Sequence, residues 1–204
     1  MFRHTIPSFI YPVFPSLTWR VKTTERKVYL TFDDGPHPHI TPWVLEQLNT
    51  FGAKATFFCV GNNVQKFPDV YASILDAGHA VGNHTFHHVR GWNMSTADYV
   101  KEVEACAQLV NSPLFRPPYG RIHLNQIRAL KSKYSIVMWS ILARDYDPNL
   151  NVAATLRFIN RSLLPGSIIV MHDSQKAEKN LNAMLPEILR AGRENGFTFD
   201  ALNP

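Results

Sequence analysis

From residue 27 onward, short runs of β-branched and aromatic residues alternate with longer stretches whose apolar positions recur at helical spacing. The short runs predict seven strands, at 27–32, 55–60, 79–82, 113–116, 135–141, 167–172 and 197–201. The stretches between them predict helices at 41–50, 68–77, 96–110, 125–132, 152–163 and 181–194. Thr96 stands where a cap belongs, ahead of a run with Tyr99, Val103 and Leu109 on one side. Gly78 and Gly196 follow helices, where a left-handed residue closes the last turn. Regular β/α alternation predicts a parallel sheet with right-handed crossovers, and with about seven repeats such a sheet can curl into a distorted (β/α) barrel. An open doubly wound sheet is the other solution, but no Gly-rich phosphate loop follows any strand, so a nucleotide-binding version has little support. The pattern is that of a single domain over 27–204, with residues 1–26 as an N-terminal extension.

Composition narrows the class. With 45% hydrophobic and 18% charged residues, the 204-residue chain is too apolar for disorder, and no apolar run approaches the roughly 18 residues of a spanning helix. Lys plus Arg exceeds Asp plus Glu, 21 to 16, but the excess is scattered and its densest run, at 20–27, contains Glu25; no nucleic-acid partner is expected. Cys59 and Cys106 read as core thiols, since a chain this long needs no staple. Pro7, Pro12 and Pro15 interrupt the segment that a secretory signal would keep apolar, so a cytoplasmic monomer is the default expectation.

In parallel β/α folds, ligands gather at the carboxyl ends of strands, and here reactive side chains cluster at those ends. The first strand ends in Asp33-Asp34-Gly35-Pro36, the third leads to His84 and His88, and the fourth ends at Arg116. The fifth leads to Asp145, and the sixth ends in His172-Asp173. Adjacent residues at a strand end point in different directions, so Asp33 and Asp34 suit different roles, one binding a cation and one free as a base. A plain turn is the competing reading of that pair. His84 and His88, four residues apart, can face one way and with a carboxylate make a three-ligand site; spacing alone leaves His87 as a rival. Two imidazoles and one carboxylate serve zinc hydrolases and iron oxygenases alike, and the β/α alternation favours hydrolysis. After Arg116, Pro117 and Pro118 remove backbone donors, so the Tyr119 N–H is the first available to an oxyanion. His172, held by a carboxylate such as Asp145, can carry a proton to a leaving group.

Taken in order, these motifs resemble the polysaccharide deacetylase family, the NodB-homology domain of carbohydrate esterase family 4, from about residue 27 to 201. The resemblance implies a distorted (β/α) barrel, a divalent cation that is zinc before Co²⁺, Ni²⁺ or Mn²⁺, and removal of N- or O-acetyl groups from a glycan of chitooligosaccharide or peptidoglycan type. It makes Asp33 the general base, Asp34, His84 and His88 the metal ligands, and His87 a bystander. It further makes Arg116 the residue that orients Asp33, Tyr119 the oxyanion donor, His172 the general acid and Val170 a lining of the acetyl pocket. One motif departs from the pattern: Asp145 is kept as the tether of His172, but Leu142 stands in place of an acid and Tyr146 in place of tryptophan. Tyr146 can still cover an acetyl methyl with its ring. A metal-dependent hydrolase of a small non-sugar amide would use the same residues. A glycosidase would leave the histidines unexplained, and a glycan-binding protein would need neither base nor acid.

Overall fold

The computed structural model describes residues 4–5 and 7–203. In chain order the elements are β1 (Leu17–Thr18), β2 (Lys27–Asp33), α1 (Ile40–Thr50), β3 (Ala55–Cys59), α2 (Gly61–Lys66), α3 (Pro68–Asp76) and β4 (Ala80–Asn83). They continue with α4 (Thr96–Ala107), β5 (Leu114–Phe115), α5 (Leu124–Leu130), β6 (Ser135–Val137), β7 (Ile141–Leu142), α6 (Val152–Ser162), β8 (Ile168–His172), α7 (Glu178–Glu194) and β9 (Thr198–Phe199). Strand order is β1-β6-β5-β4-β3-β2-β8-β7 with β9 beside β2, and every pair along it is parallel.

The expected strand at 135–141 is two strands. Its first half, β6, pairs with β5, and its second half, β7, pairs with β8 on the other side of the molecule. One run of chain therefore touches both flanks of the sheet and curls it into a distorted, half-open barrel. The peptides between the halves are held by new partners: Met138 N–H donates to Thr18 O at 2.8 Å and Ser140 N–H to Ile168 O at 3.1 Å. Part of the segment before residue 27 also joins the sheet, because β1 pairs with β6 and Val21 N–H donates to Gly166 O at 2.9 Å. Leu17 and Trp19 are buried there.

Strand alternation divides the side chains between two faces. Val28, Leu30 and Phe32 of β2 pack in one cluster with Val44 and Leu48 of α1 and Leu185 and Ile188 of α7. Tyr29 points the other way, into the barrel, with Phe58, Leu114, Val137 and Ile168. By the same alternation Thr31 and Asp33, then Arg116 two residues after Leu114, and Val170 and His172 after Ile168, belong to the barrel interior. Gly82 on β4 leaves room for this filling, since a Cβ there would stand 2.5 Å from the Phe58 ring.

The helices follow the periodicity with local differences. Helix α2 was not expected, because Gly61-Asn62-Asn63 has the composition of a loop. The cap of α4 is Ser95, whose Oγ accepts from Asp98 N–H at 3.1 Å, so Thr96 is already the first helical residue. Gly78 and Gly196 follow α3 and α7 with φ of 72° and 73°. Cys59 and Cys106 are buried free thiols, and burial pushes the Cys106 thiol up to about 11. Among the described residues no helix is long and apolar enough to cross a membrane.

Candidate active site

Four of the interior positions at the mouth of the barrel are polar: Asp33, His84, Arg116 and His172. Asp33 and His172 are register partners across β2 and β8, which places them side by side. Asp34 would point away in a regular strand, but its φ of 80° breaks the alternation and turns its carboxylate to the same mouth. Thr85, His88, Tyr119 and Arg144 also take positive φ, all in loops at this end. Non-glycine residues in this region cost free energy, about 1 kcal/mol or more each, and such strain concentrates where side chains are aimed for function.

The carboxylate of Asp34 and the two imidazoles converge. Asp34 Oδ1 lies 3.0 Å from His88 Nε2 and 3.7 Å from His84 Nε2, and the three ligand atoms all fall within 4.8 Å of one another. His84 is fully buried, and its Nδ1 lies 2.8 Å from the Arg116 carbonyl. A carbonyl only accepts, so Nδ1 carries the proton and Nε2 presents a lone pair towards Asp34. Burial keeps the ring neutral, with its pKa pushed down to about 4. Burial also works against the charge of Asp34, but the His88 hydrogen bond and the nearby histidines outweigh it and hold the carboxyl well below its usual range. Two imidazoles facing an ionised carboxylate are the donor set of a divalent cation, so the residues present fit one. His87 is directed elsewhere: its Nδ1 lies 2.9 Å from Glu102 Oε1, on an exposed ring.

Asp33 stands between this trio and Arg116. The buried guanidinium donates to Asp33 Oδ1 at 2.6 Å, to Thr31 Oγ1 at 2.7 Å and to the carbonyls of Val137 and Met138, and it lies 4.1 Å above the Phe58 ring. Asp33 Oδ2 is left facing His84 Nε2 at 3.9 Å. On the other flank, Asp145 Oδ1 lies 2.8 Å from His172 Nδ1, and its Oδ2 accepts the His172 N–H at 2.7 Å. Asp145 is itself fixed by Asn180, whose Nδ2 donates to its carbonyl at 2.8 Å. Burial works against a charged His172, but Asp145 and, behind it, Asp34 and Asp33 raise its pKa to about 9. The Tyr146 ring meets His172 edge-on at 5.0 Å, and the Tyr119 ring lies 4.7 Å from His88. Val170 is buried one alternation below His172. Leu142 takes no part: it lies on β7 opposite Val170, its backbone hydrogen-bonded to His4.

Chain similarity agrees with this geometry. A family model described as polysaccharide deacetylase matches residues 20–138. The chain belongs to the polysaccharide deacetylase family. A peptidoglycan-N-acetylglucosamine deacetylase of Bacillus cereus is 33% identical over 190 residues, covering 90% of this chain and 89% of its own. A chitooligosaccharide deacetylase of Azorhizobium caulinodans is 32% identical over 163 residues, covering 76% and 77%. The crystal structure of the Bc1960 peptidoglycan N-acetylglucosamine deacetylase, a complex with a naphthalenyl N-oxidanyl-benzamide, superposes with a TM-score of 0.86 at 28% identity, over 97% of this chain and 95% of that one. The deacetylase fold thus extends over nearly all of this chain.

Asp173 follows His172 in the chain with no motif to give it a role, and the structure supplies one. Its Oδ1 accepts Gly35 N–H at 3.1 Å, its Oδ2 accepts the Thr41 hydroxyl at 2.5 Å, and its own N–H donates to Asp33 O at 3.2 Å. Asp173 therefore clasps the turn that carries both aspartates. Asn63, whose Nδ2 donates to Asp34 O at 2.7 Å, holds the same turn from α2. Neither has a local signature, because the partners lie far apart in sequence. Next to Asp34 and His88, a cleft of about 350 Å³ opens between Val60, Asn62, Asn63, His87 and Ser174.

Proposed function

We propose that this deacetylase removes N-acetyl groups from a glycan, peptidoglycan before chitooligosaccharide, with a divalent cation, zinc first, held by Asp34, His84 and His88. The observation that carries the reading is the convergence of those three ligand atoms, with Asp33 on one side and His172 on the other. When bound, the cation supplies a Lewis acid that polarises the acetyl carbonyl and makes water more acidic. Asp33 is the base: Arg116 occupies Oδ1 and fixes the carboxylate, leaving Oδ2 to take a proton from the attacking water. The developing oxyanion is met by the Tyr119 N–H, a type of donor worth about 10²- to 10³-fold in rate elsewhere. His172, charged at neutral pH through Asp145, delivers a proton to the departing sugar nitrogen. Val170 and Tyr146 shape the space for the acetyl methyl. The open, polar cleft beside Asp34 suits a polymer that lies across it better than a small amide that would be enclosed.

Acetate release from chitooligosaccharides, peptidoglycan fragments and acetylated xylan, with and without chelator and added Zn²⁺, tests the proposal. Release from the first two that stops on chelation and returns with Zn²⁺ is expected. Asp33→Asn should retain the cation, measured by elemental analysis, and lose acetate release. Undiminished release would remove Asp33 from the role, and release from no glycan would transfer the chemistry to a small amide.

A further inference from the structure

A wall whose side chains the acetyl chemistry leaves unused stands beside His88. It is built from the segment 89–94 after His88 and the segment 119–123 after the Arg116-Pro117-Pro118 run. The two are laced together: Trp92 Nε1 donates to Ile122 O at 3.3 Å, and His123 Nε2 lies 3.3 Å from Trp92 O. Beneath them, buried Gln126 donates to Gly91 O at 2.8 Å and accepts His123 N–H at 2.9 Å. Gly91 is required by the close approach, since a Cβ there would stand 2.5 Å from Arg121 O. Two guanidinium groups lie on aromatic rings along this wall, Arg90 at 4.5 Å above Tyr119 and Arg121 at 5.1 Å above Trp92. The rings themselves are unusually open for their size, Tyr119 at 51% and Trp92 at 56% exposure. Among the described residues neither arginine has a carboxylate within ion-pair distance, although both are exposed.

A guanidinium seated on an aromatic face has its ordering cost partly met in advance, and its N–H edge stays available to a planar anion. Two such groups, tied to a stiff loop pair and starting one ring away from His88, form a ready receptor for negative charge next to the reacting sugar. We infer that this wall binds a carboxylate carried by the glycan close to the acetylated residue. The enzyme then prefers an anionic glycan, of the lactyl-ether peptidoglycan kind, over a neutral oligomer of equal length. The inference rests on the deacetylase reading and names its substrate class. Carboxylates of a peptide stem offer the same chemistry, so oligomers with and without stems separate the two sources.

The test compares kcat/KM on neutral chitooligosaccharides with that on lactyl-bearing peptidoglycan oligomers, stem-free and stem-bearing, at low and high salt. The wild-type preference for the lactyl-bearing oligomer should fall with salt. The double variant Arg90→Gln/Arg121→Gln should lower the anionic-to-neutral ratio about fivefold, and Arg128→Gln, an exposed arginine on α5 that donates to Asn125 instead of lying on a ring, should leave it unchanged. Calorimetric binding of the same oligomers to the chelated protein reads the wall without turnover, with the same order expected. A ratio that neither salt nor the double variant moves overturns the inference. A preference confined to stem-bearing oligomers overturns the lactyl assignment. Tighter, salt-sensitive binding of the anionic oligomer without acetate release would uphold the wall while defeating the deacetylase reading.

Discussion

At the scale of single residues, the site depends on buried charges that hold each other in place. Arg116 is fully buried and gives hydrogen bonds to Asp33, Thr31 and two carbonyls, so removing it strands a carboxylate in the interior. Breaking such a pair from one side costs about 3–5 kcal/mol. Arg116→Ala is therefore expected to lower unfolding stability by that order in denaturant titration, besides losing activity. Asp145 acts on charge as well as position. Replacing it with Asn keeps an acceptor for the ring but removes the largest influence raising the His172 pKa. If His172 is the proton donor, the alkaline limb of kcat/KM should move to lower pH in Asp145→Asn. A limb that stays in place would separate His172 from proton delivery.

Elements explain which parts of this arrangement could be read from the chain. Strand-end placement of Asp33, His84, Arg116 and His172 was legible because hydrophobic runs stop abruptly at titratable residues, and period-2 alternation then sends all of them to one face. Asp34 was legible only as different from Asp33; its aim comes from a φ of 80° that no local pattern encodes. The division of 135–141 into β6 and β7 was hidden for a related reason, since Val137, Met138 and Trp139 all suit a strand and the break exists only because the two halves find partners on opposite flanks. Asp173 was missed because it acts 138 residues from Gly35 and 132 from Thr41. Burial, and then the charges of Asp34 and Asp33, raise its pKa to about 8, far above the unfolded value of about 3.9. A raised carboxyl pKa means that the folded state holds the proton longer, so its contribution is complete below about pH 3.9 and is lost as pH rises through about 8. Asp173→Asn, which mimics the protonated acid, should flatten the decline in stability between about pH 5 and 8 measured by denaturant titration at fixed metal content. An unchanged slope would show that Asp173 does not carry that proton.

Across the whole molecule, the proposed cation site joins strand ends that are distant in the chain, and this gives metal binding a structural readout independent of catalysis. Asp34 follows β2, while His84 and His88 follow β4, and the three meet only in the folded barrel. An ion that binds this constellation but not the unfolded chain stabilises the fold by about 2.7 kcal/mol at a concentration of 100 times its Kd. For a domain of this length, each kcal/mol raises Tm by about 2–4 °C, so Zn²⁺ added to chelated protein should raise Tm by roughly 5–11 °C. His88→Ala is the informative variant. His88 lies on a loop, a quarter of its side chain is exposed, and its φ of 54° is unfavourable for alanine but harms no core packing. The variant should fold, melt close to the chelated wild type and lose most of the rise with Zn²⁺. A full rise in His88→Ala would mean that the stabilising ion sits elsewhere. The absence of any rise in the wild type would show that Asp34, His84 and His88 meet without holding Zn²⁺.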